Sequence, residues 1–554
     1  MARSRSLARP KMDFNLGGEQ AEADPLLQNA FYESTHYGVL SDRNDPKCFI
    51  VGRTGSGKSA ILSRIEEAHP DHVIRINPED LSLPYIADLQ AVSFLDSLDI
   101  QLDPFFIALW KHVLLIEIIR HRYRVNSPLA KQNLLTSLKE RLGRDRSKSV
   151  ALEYLDEFEG KFWCETDERV KDITRKFEEQ ISKEAAGSLA TGSTVSLKGA
   201  TSSGTTYGEE TKAQQAARFQ RIVNETQLPR LNKMFGVLDE DILDSAQYYR
   251  YVIIDDLDRD WADGRILNDL IRCLFRAVVD LKRVRNLKVL VALRTNIFEH
   301  LDFGSTGGQE EKFRSLTYQV RWSKLDLEDL VSIRAQEAAG QRGLQDIGTV
   351  KDILPATNAT RGNAFEYILR RTLMRPRDVL AFFNEAFTHA SGRHKLTWDM
   401  IHAAERSYSS KRLLALRDEW KPSYPGIDSL FNLFQSAPPV ITRENLGEIL
   451  DDAALLLGDT RFEGMRWLME TAQPIWDFYG DDDWVKMYLP LVKLLYNIGF
   501  LGCIKGRARE QVFAHQEPGL ADQPSAVRNL SEFVVHPAFR AALDIPEENA
   551  KKHR

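Results

Sequence analysis

The run Cys48-Phe-Ile-Val-Gly-Arg-Thr-Gly-Ser-Gly-Lys58-Ser59-Ala-Ile-Leu constrains this chain more than any other. It reads as an apolar strand, a glycine-rich turn and the first turn of a helix. Gly52, Gly57, Lys58 and Ser59 fit G-x-x-x-x-G-K-[ST], with Gly55 between them. Glycines let such a loop curl so that several backbone N–H groups converge on one anion. The helix that follows points its free N–H groups and partial positive charge at the same place. Thr54, Gly55, Ser56, Gly57 and Ala60 are the expected backbone cradle for a triphosphate. Lys58 is expected to reach its β/γ oxygens, and the Ser59 hydroxyl to ligate Mg²⁺. The alternative is an incidental glycine-rich turn. The preceding apolar strand and the apolar-periodic helix (Ala60, Ile61, Leu62, Ile65) argue against it.

Composition narrows the class. A chain of 554 residues suggests two to four domains, and its 43% hydrophobic and 28% charged content is ordinary for a globular protein. The formal net charge of −6 gives no global nucleic-acid signature. Cys48, Cys164, Cys273 and Cys503 are scattered without a CxxC pair, which points to free buried thiols rather than disulfides or zinc. The twelve histidines show no metal-ligand spacing. The most apolar stretch, Phe105 to Ile119, is interrupted by Lys111, His112 and Glu117, too charged to span a bilayer. With no secretory leader evident, a cytoplasmic protein is expected.

Along the chain, residues 1–20 read as a flexible tail and Asp24 to Tyr32 as a short helix. A second strand is expected at Val73–Ile76. Residues 78–247 form a long interruption, read as a helical insertion with an apolar helix from Asp103-Pro104 to about Tyr123 and a mobile Gly/Ser/Thr-rich loop at 188–211. Tyr248 to Ile254 has the near-continuous apolar pattern of a strand buried on both faces, and ends in Asp255-Asp256-Leu257-Asp258-Arg259. Asp255 is the expected Mg²⁺ carboxylate and Asp256 the group that polarises an attacking water. Asp258 and Arg259 read as holding the following loop. A further buried strand, Lys288 to Leu293, leads into Arg294-Thr295-Asn296. Arg294 is the first candidate to touch a γ-phosphate and Asn296 the second; pairing of Arg294 with the neighbouring acids is the alternative. A fifth strand is expected over Leu316 to Val320.

The GRTGSGKSA loop, the IIDDLDR strand end, Arg294 and the later Arg375-Pro-Arg377-Asp378 resemble the KAP/STAND-related bacterial P-loop ATPases. They are most similar to a soluble, defence-linked branch with an N-terminal lead-in of the form Phe31-Tyr-Glu-Ser-Thr35. The resemblance covers most of residues 25–545. It implies ATP as the nucleotide and a parallel sheet of order 5-1-4-3-2 whose acidic strand is not adjacent to the glycine-loop strand. It also implies a helical lid from which Arg375 or Arg377 could reach the phosphates; solvated arginines at a helix end are the alternative. Neither a membrane insertion nor a repeat array, found in other branches, is evident. Arg314 is a candidate arginine finger across a subunit boundary.

The expected organisation is therefore an α/β P-loop core at 21–322 interrupted by 78–247, a helical lid at 323–420 and a region at 421–554 ending in a winged helix. The expected activity is a Mg²⁺-dependent ATPase that works as a conformational switch, as a homo-oligomer or with a partner effector protein. Lys505, Arg507 and Arg509, at the tip of a C-terminal hairpin, keep a DNA-binding loader open as the alternative.

Overall fold

The computed structural model describes residues 14–77, 102–124, 228–257, 264–301, 310–344, 347–357, 361–390, 393–478 and 483–547, with a few helical positions between 136 and 140. The loop expected at 188–211, Asp258, Arg259 and Cys164 lie outside these residues. The chain divides into two compact units. One comprises Thr35–Arg53 and Ile61–Val320; the other comprises Met1–Ser34, Thr54–Ala60 and Arg321–Arg554.

In the first of these, α1 (Thr35–Ser41) precedes β1 (Phe49–Gly52), and α2 (Lys58–Ala68) leads to β2 (Val73–Ile76). Then follow α3 (Asp103–Tyr123), α4 (Leu228–Val237), β3 (Arg250–Ile254), α5 (Gly264–Leu281), β4 (Leu287–Arg294), α6 (Thr295–His300), α7 (Glu310–Leu316) and β5 (Thr317–Gln319). The five strands form one parallel sheet in the order β5-β1-β4-β3-β2. This is the order that the resemblance implies. β1, β3 and most of β4 are buried on both faces, which their unbroken runs of Ile, Val and Leu require. The register pairs Gly52 with Arg294, so the carboxyl ends of β1 and β4 finish side by side.

The core of this unit is built from the sheet, α3 and α5. Phe49 stacks on Phe275 with ring centroids 3.7 Å apart and an interplanar angle of 3°. The α3 helix is apolar nearly all round and correspondingly buried, and its Trp110 indole donates to the Leu270 carbonyl at 2.9 Å. Its two buried charges are compensated: Asp103 accepts from Arg272 and Arg276, and Lys111 pairs with Asp280 at 2.5 Å.

The second unit contains α8 (Lys324–Gly340), α9 (Val350–Ile353), α10 (Ala364–Arg370), α11 (Pro376–Thr388) and α12 (Trp398–Trp420). Beyond these come α13 (Ile427–Asn432), β6 (Ile441–Thr442), α14 (Arg443–Leu455), α15 (Arg466–Asp477) and α16 (Trp484–Asn497). The chain finishes with β7 (Leu501–Lys505), β8 (Glu510–Val512), α17 (Pro524–Arg528), β9 (Glu532–Val535) and α18 (Pro537–Arg540). The last strands make an antiparallel sheet, β6-β9-β7-β8. Two apolar clusters fill the unit, one around α8 to α12 and one around α13 to α18. The α12 helix joins them, contributing Ile401, Ala404 and Tyr408 to the first, and Leu416 and Trp420 to the second.

Two expectations are corrected here. Residues 14–20 are not a free tail: Phe14 and Leu16 are buried in the first cluster, and the Leu16 N–H donates to Asn384 Oδ1 at 2.8 Å. Asp24 to Tyr32 is a series of turns, and the helix starts at Thr35. Asp24 Oδ1 accepts the backbone N–H groups of Gly18 and Leu26, a side-chain-to-backbone pattern that competes with helix.

Phe275→Ala removes one ring of the tightest stack in the sheet core. It should lower stability by about 3–5 kcal/mol, measured as a shifted urea midpoint with an unchanged slope.

Candidate functional site

The loop between β1 and α2 is glycine-rich for a geometric reason. Gly55 and Gly57 have φ of +79° and +91°, which side chains other than glycine disfavour. A Cβ on Gly55 would also lie 2.7 Å from Arg377 Cβ. Three of the loop's carbonyls are taken by other residues of the same unit. The Thr54 carbonyl accepts from Arg375 Nη1 at 2.8 Å and the Ser56 carbonyl from the Trp322 indole N–H at 2.8 Å. The Gly55 carbonyl accepts from the Arg377 backbone N–H at 3.4 Å. Three successive carbonyls are thereby held in place, and two left-handed glycines in such a loop are the backbone pattern of an anion-binding nest.

A buried charge network fixes these donors. Arg375 makes two bonds to Asp378, at 2.8 and 3.1 Å, and a third to Glu419 at 3.1 Å. Glu419 also accepts the Thr54 N–H at 3.3 Å. Arg412 bonds Asp378 at 3.2 Å and Glu19 at 2.8 Å. Burial opposes the charge of Asp378, but Arg375 and Arg412 outweigh it and hold its carboxyl down at about 2. Burial likewise opposes the Arg375 charge, and Asp378 and Glu419 more than offset it, raising its pKa.

Arg377 is in the opposite condition. Burial lowers its pKa, and the like charges of Arg375 and Arg412 add to the effect, with only partial relief from Asp378 and Glu19. Its Nε donates to the Glu19 carbonyl at 3.0 Å. The side chain lines a recess of ≈ 580 Å³, open mouth included, walled by the 55–60 loop, the 18–27 segment and the start of α11. Thr54 Oγ1 and Ser56 Oγ in the same loop are buried without a hydrogen-bond partner among the described residues. The recess brings together the left-handed glycine loop, Lys58, Ser56 and Arg377 with Glu19, Glu22 and Asp24, of which Glu19 is paired with Arg412 and Asp24 with Arg334.

The sequence-predicted residues fall in two groups. Thr54, Gly55, Ser56, Gly57, Lys58, Ser59, Ala60 and Arg377 all line or build this recess. Gly52 and Arg294 sit at the carboxyl edge of the parallel sheet, and Asp255 and Asp256 follow β3 at that edge. Asp255 is buried, and Asp256 has φ +58°, a left-handed non-glycine position worth about 1 kcal/mol of strain. The Asp256 N–H donates to Asp255 Oδ1 at 3.0 Å, which ties the Asp255 carboxylate to the backbone of the next residue. Asn296 is buried on α6, and Arg314 is exposed on α7. Of the two arginines weighed for phosphate contact, Arg375 is committed to Asp378, Glu419 and the loop carbonyl, and Arg377 faces the recess.

Among the described residues, no group of three or more His, Cys, Asp or Glu is placed to hold a metal. A magnesium bound through one carboxylate, a hydroxyl and substrate phosphates needs no such group.

Sequence reasoning missed Glu419, Trp322 and Glu19. Glu419 lies 365 residues from the Thr54 N–H it accepts, and no local pattern marks such a pair. Phe14-x-Leu16 alternation was the one available sign that the 14–20 segment packs. At the C-terminal hairpin, Lys505 pairs with Glu517 and Arg509 with Glu532, both at 2.8 Å, so two of its three basic charges are neutralised locally.

Comparison with known proteins adds three likenesses. Residues 325–417, which span α8 to most of α12, match a FunZ-associated C-terminal helical domain. Over 96% of its length the chain is 22% identical to the putative transposon gamma-delta 80.3 kDa protein of Escherichia coli (strain K12), of which it covers 67%. A stretch of 116 residues, 20% of the chain, is 31% identical to allergen Alt a 2 of Alternaria alternata and covers 60% of that protein. The matched helical domain contains Arg375, Arg377, Asp378 and Arg412; Glu419 lies just beyond it.

Asp378→Ala leaves Arg375 and Arg412 buried without their shared carboxylate and should destabilise the protein by about 3–5 kcal/mol. Because the folded-state pKa is depressed, this contribution is complete above about pH 4 and fades as pH falls toward about 2. Urea titrations should therefore show the gap between wild type and variant narrowing across that window.

Proposed function

We propose that the chain is a Mg²⁺-dependent ATPase of the P-loop type that works as a nucleotide-driven switch. The observation that carries this reading is the 54–59 loop. Three of its carbonyls are bound by Arg375, Trp322 and the Arg377 backbone, its glycines are left-handed, and Arg377, only partly compensated by Asp378 and Glu19, lines the same recess. The parallel sheet order and the acidic end of β3 support the same reading.

In this proposal the loop N–H groups and Lys58 hold the β- and γ-phosphates, and Arg377 contributes from α11. Ser59 and Asp255 are the residues that would hold the magnesium, whose chemistry is to neutralise charge developing on the phosphate oxygens. Asp256 orients the attacking water, and Arg294, at the end of β4, answers to the γ-phosphate. The resemblance to defence-linked relatives extends the proposal to a bacterial anti-phage or stress-response system, with a partner protein as effector.

Steady-state phosphate release by the full chain tests the activity. Wild type should hydrolyse ATP, and Lys58→Ala and Asp256→Asn should each lose at least about 100-fold in kcat, a scale typical of removing one transition-state contact. Asp256→Asn should still bind ATP, by equilibrium dialysis, because it removes only the group that orients water. Hydrolysis unaffected by both substitutions would overturn the assignment.

A further inference from the structure

We infer that the free face formed by α14 and α15 is a docking site for a basic amphipathic segment of a protein partner. Large apolar side chains here are exposed rather than packed: Leu455 61%, Met469 52%, Trp476 52% and Phe478 40%. These are four of the six such residues recorded in the described structure. Their placement is ordered. The α15 helix buries Leu468, Ala472 and Ile475 against the second unit's core, and Met469 and Trp476, seven residues apart, share an adjacent, outward stripe. The Trp476 indole N–H donates to the Ala454 carbonyl at 3.3 Å, which brings the ring to the end of α14 where Leu455 is exposed. A tryptophan tethered in this way is the type of anchor that dominates protein interfaces.

The charge around these residues specifies the partner's sign. Residues 443–478 contain eight acidic and three basic side chains, and a further cation, Lys486, stands 5.7 Å from the centroid of the Phe478 ring at one edge of the face. All three basic groups are engaged locally: Arg443 on the carbonyls of Val527, Arg528 and Leu530, Arg461 on Asp459, and Arg466 on Glu470. Asp452 lies one turn before Leu455, and Asp477 lies between Trp476 and Phe478; both are exposed. Carboxylates around an apolar face favour a ligand with lysines or arginines flanking its own apolar stripe. They disfavour nucleic acid, whose phosphates would meet like charge.

The test is fluorescence anisotropy of labelled synthetic peptides titrated with the full chain. The probes are a Leu/Lys amphipathic helix of about five turns, its Leu/Glu counterpart, and a Lys/Ser peptide of the same charge without apolar residues. The Leu/Lys peptide should bind and the other two should not. Leu455→Ala with Trp476→Ala should weaken binding by about tenfold or more. Asp452→Lys with Asp477→Lys should weaken it comparably and flatten its salt dependence. Equal binding to wild type and both double variants, equal binding of the Leu/Glu or Lys/Ser peptide, or no binding at all would overturn the inference. A concentration-dependent dimer in light scattering, abolished by Leu455→Ala with Trp476→Ala, would also overturn it by assigning the face to a second copy of the chain. Each variant leaves Lys58, Asp255 and Asp256 in place, so ATP hydrolysis by the same preparations separates this inference from the proposed activity.

Discussion

The glycine-rich loop depends on one buried carboxylate. Asp378 is held ionised by Arg375 and Arg412, and in return it orients the guanidinium that binds the Thr54 carbonyl. Buried ions contribute little net stability by themselves because desolvation offsets their attraction. What this network supplies is direction. It fixes which way a loop of small residues turns its polar groups, and that orientation is a precondition for binding an anion through backbone N–H groups. Glu419 completes the arrangement by accepting the Thr54 N–H from the far end of α12.

The same network leaves Arg377 short of counter-charge. Asp378 is hydrogen-bonded by Arg375 and Arg412, and Glu19 by Arg412, so Arg377 has only the longer-range pull of these two carboxylates and a hydrogen bond to the Glu19 carbonyl. A cation in that position gains more from an incoming phosphate than one already paired, since no existing ion pair has to be broken. Because Arg375 and Arg377 flank Pro376 at the start of α11, a shift of that helix moves the loop clamp and the recess arginine together. The α12 helix carries Arg412 and Glu419 on this side, and Leu416 and Trp420 in the C-terminal core, so one rigid element touches both regions.

The C-terminal region is written in a different chemistry. Its sheet and helices enclose an ordinary apolar cluster, and its hairpin arginine and lysine are spent on neighbouring glutamates. Four of the six exposed large apolar residues among those described lie on or directly after α14 and α15, in a mostly acidic stretch of sequence. The proposed docking of a protein segment needs no excess of positive charge, whereas a DNA-binding face needs it along its length.

The sequence by itself determined the strands and the loop between them. Unbroken apolar runs at 49–51, 251–254 and 289–293 can only be buried on two faces, and the spacing of Gly52, Gly57, Lys58 and Ser59 specifies the turn and helix start. Those signals are local: a strand's burial and a glycine's φ are set within a few residues. The packing of Phe14 and Leu16, the turns at 24–32 and the division of labour between Arg375 and Arg377 were decided only by the tertiary structure. Each of these involves partners hundreds of residues away, as with Leu16 on Asn384, Asp24 on Arg334 beside its local turn bonds, and Arg375 on Thr54. Two arginines separated by a proline are equivalent as sequence. They become different once one is hydrogen-bonded to a buried carboxylate and the other is not.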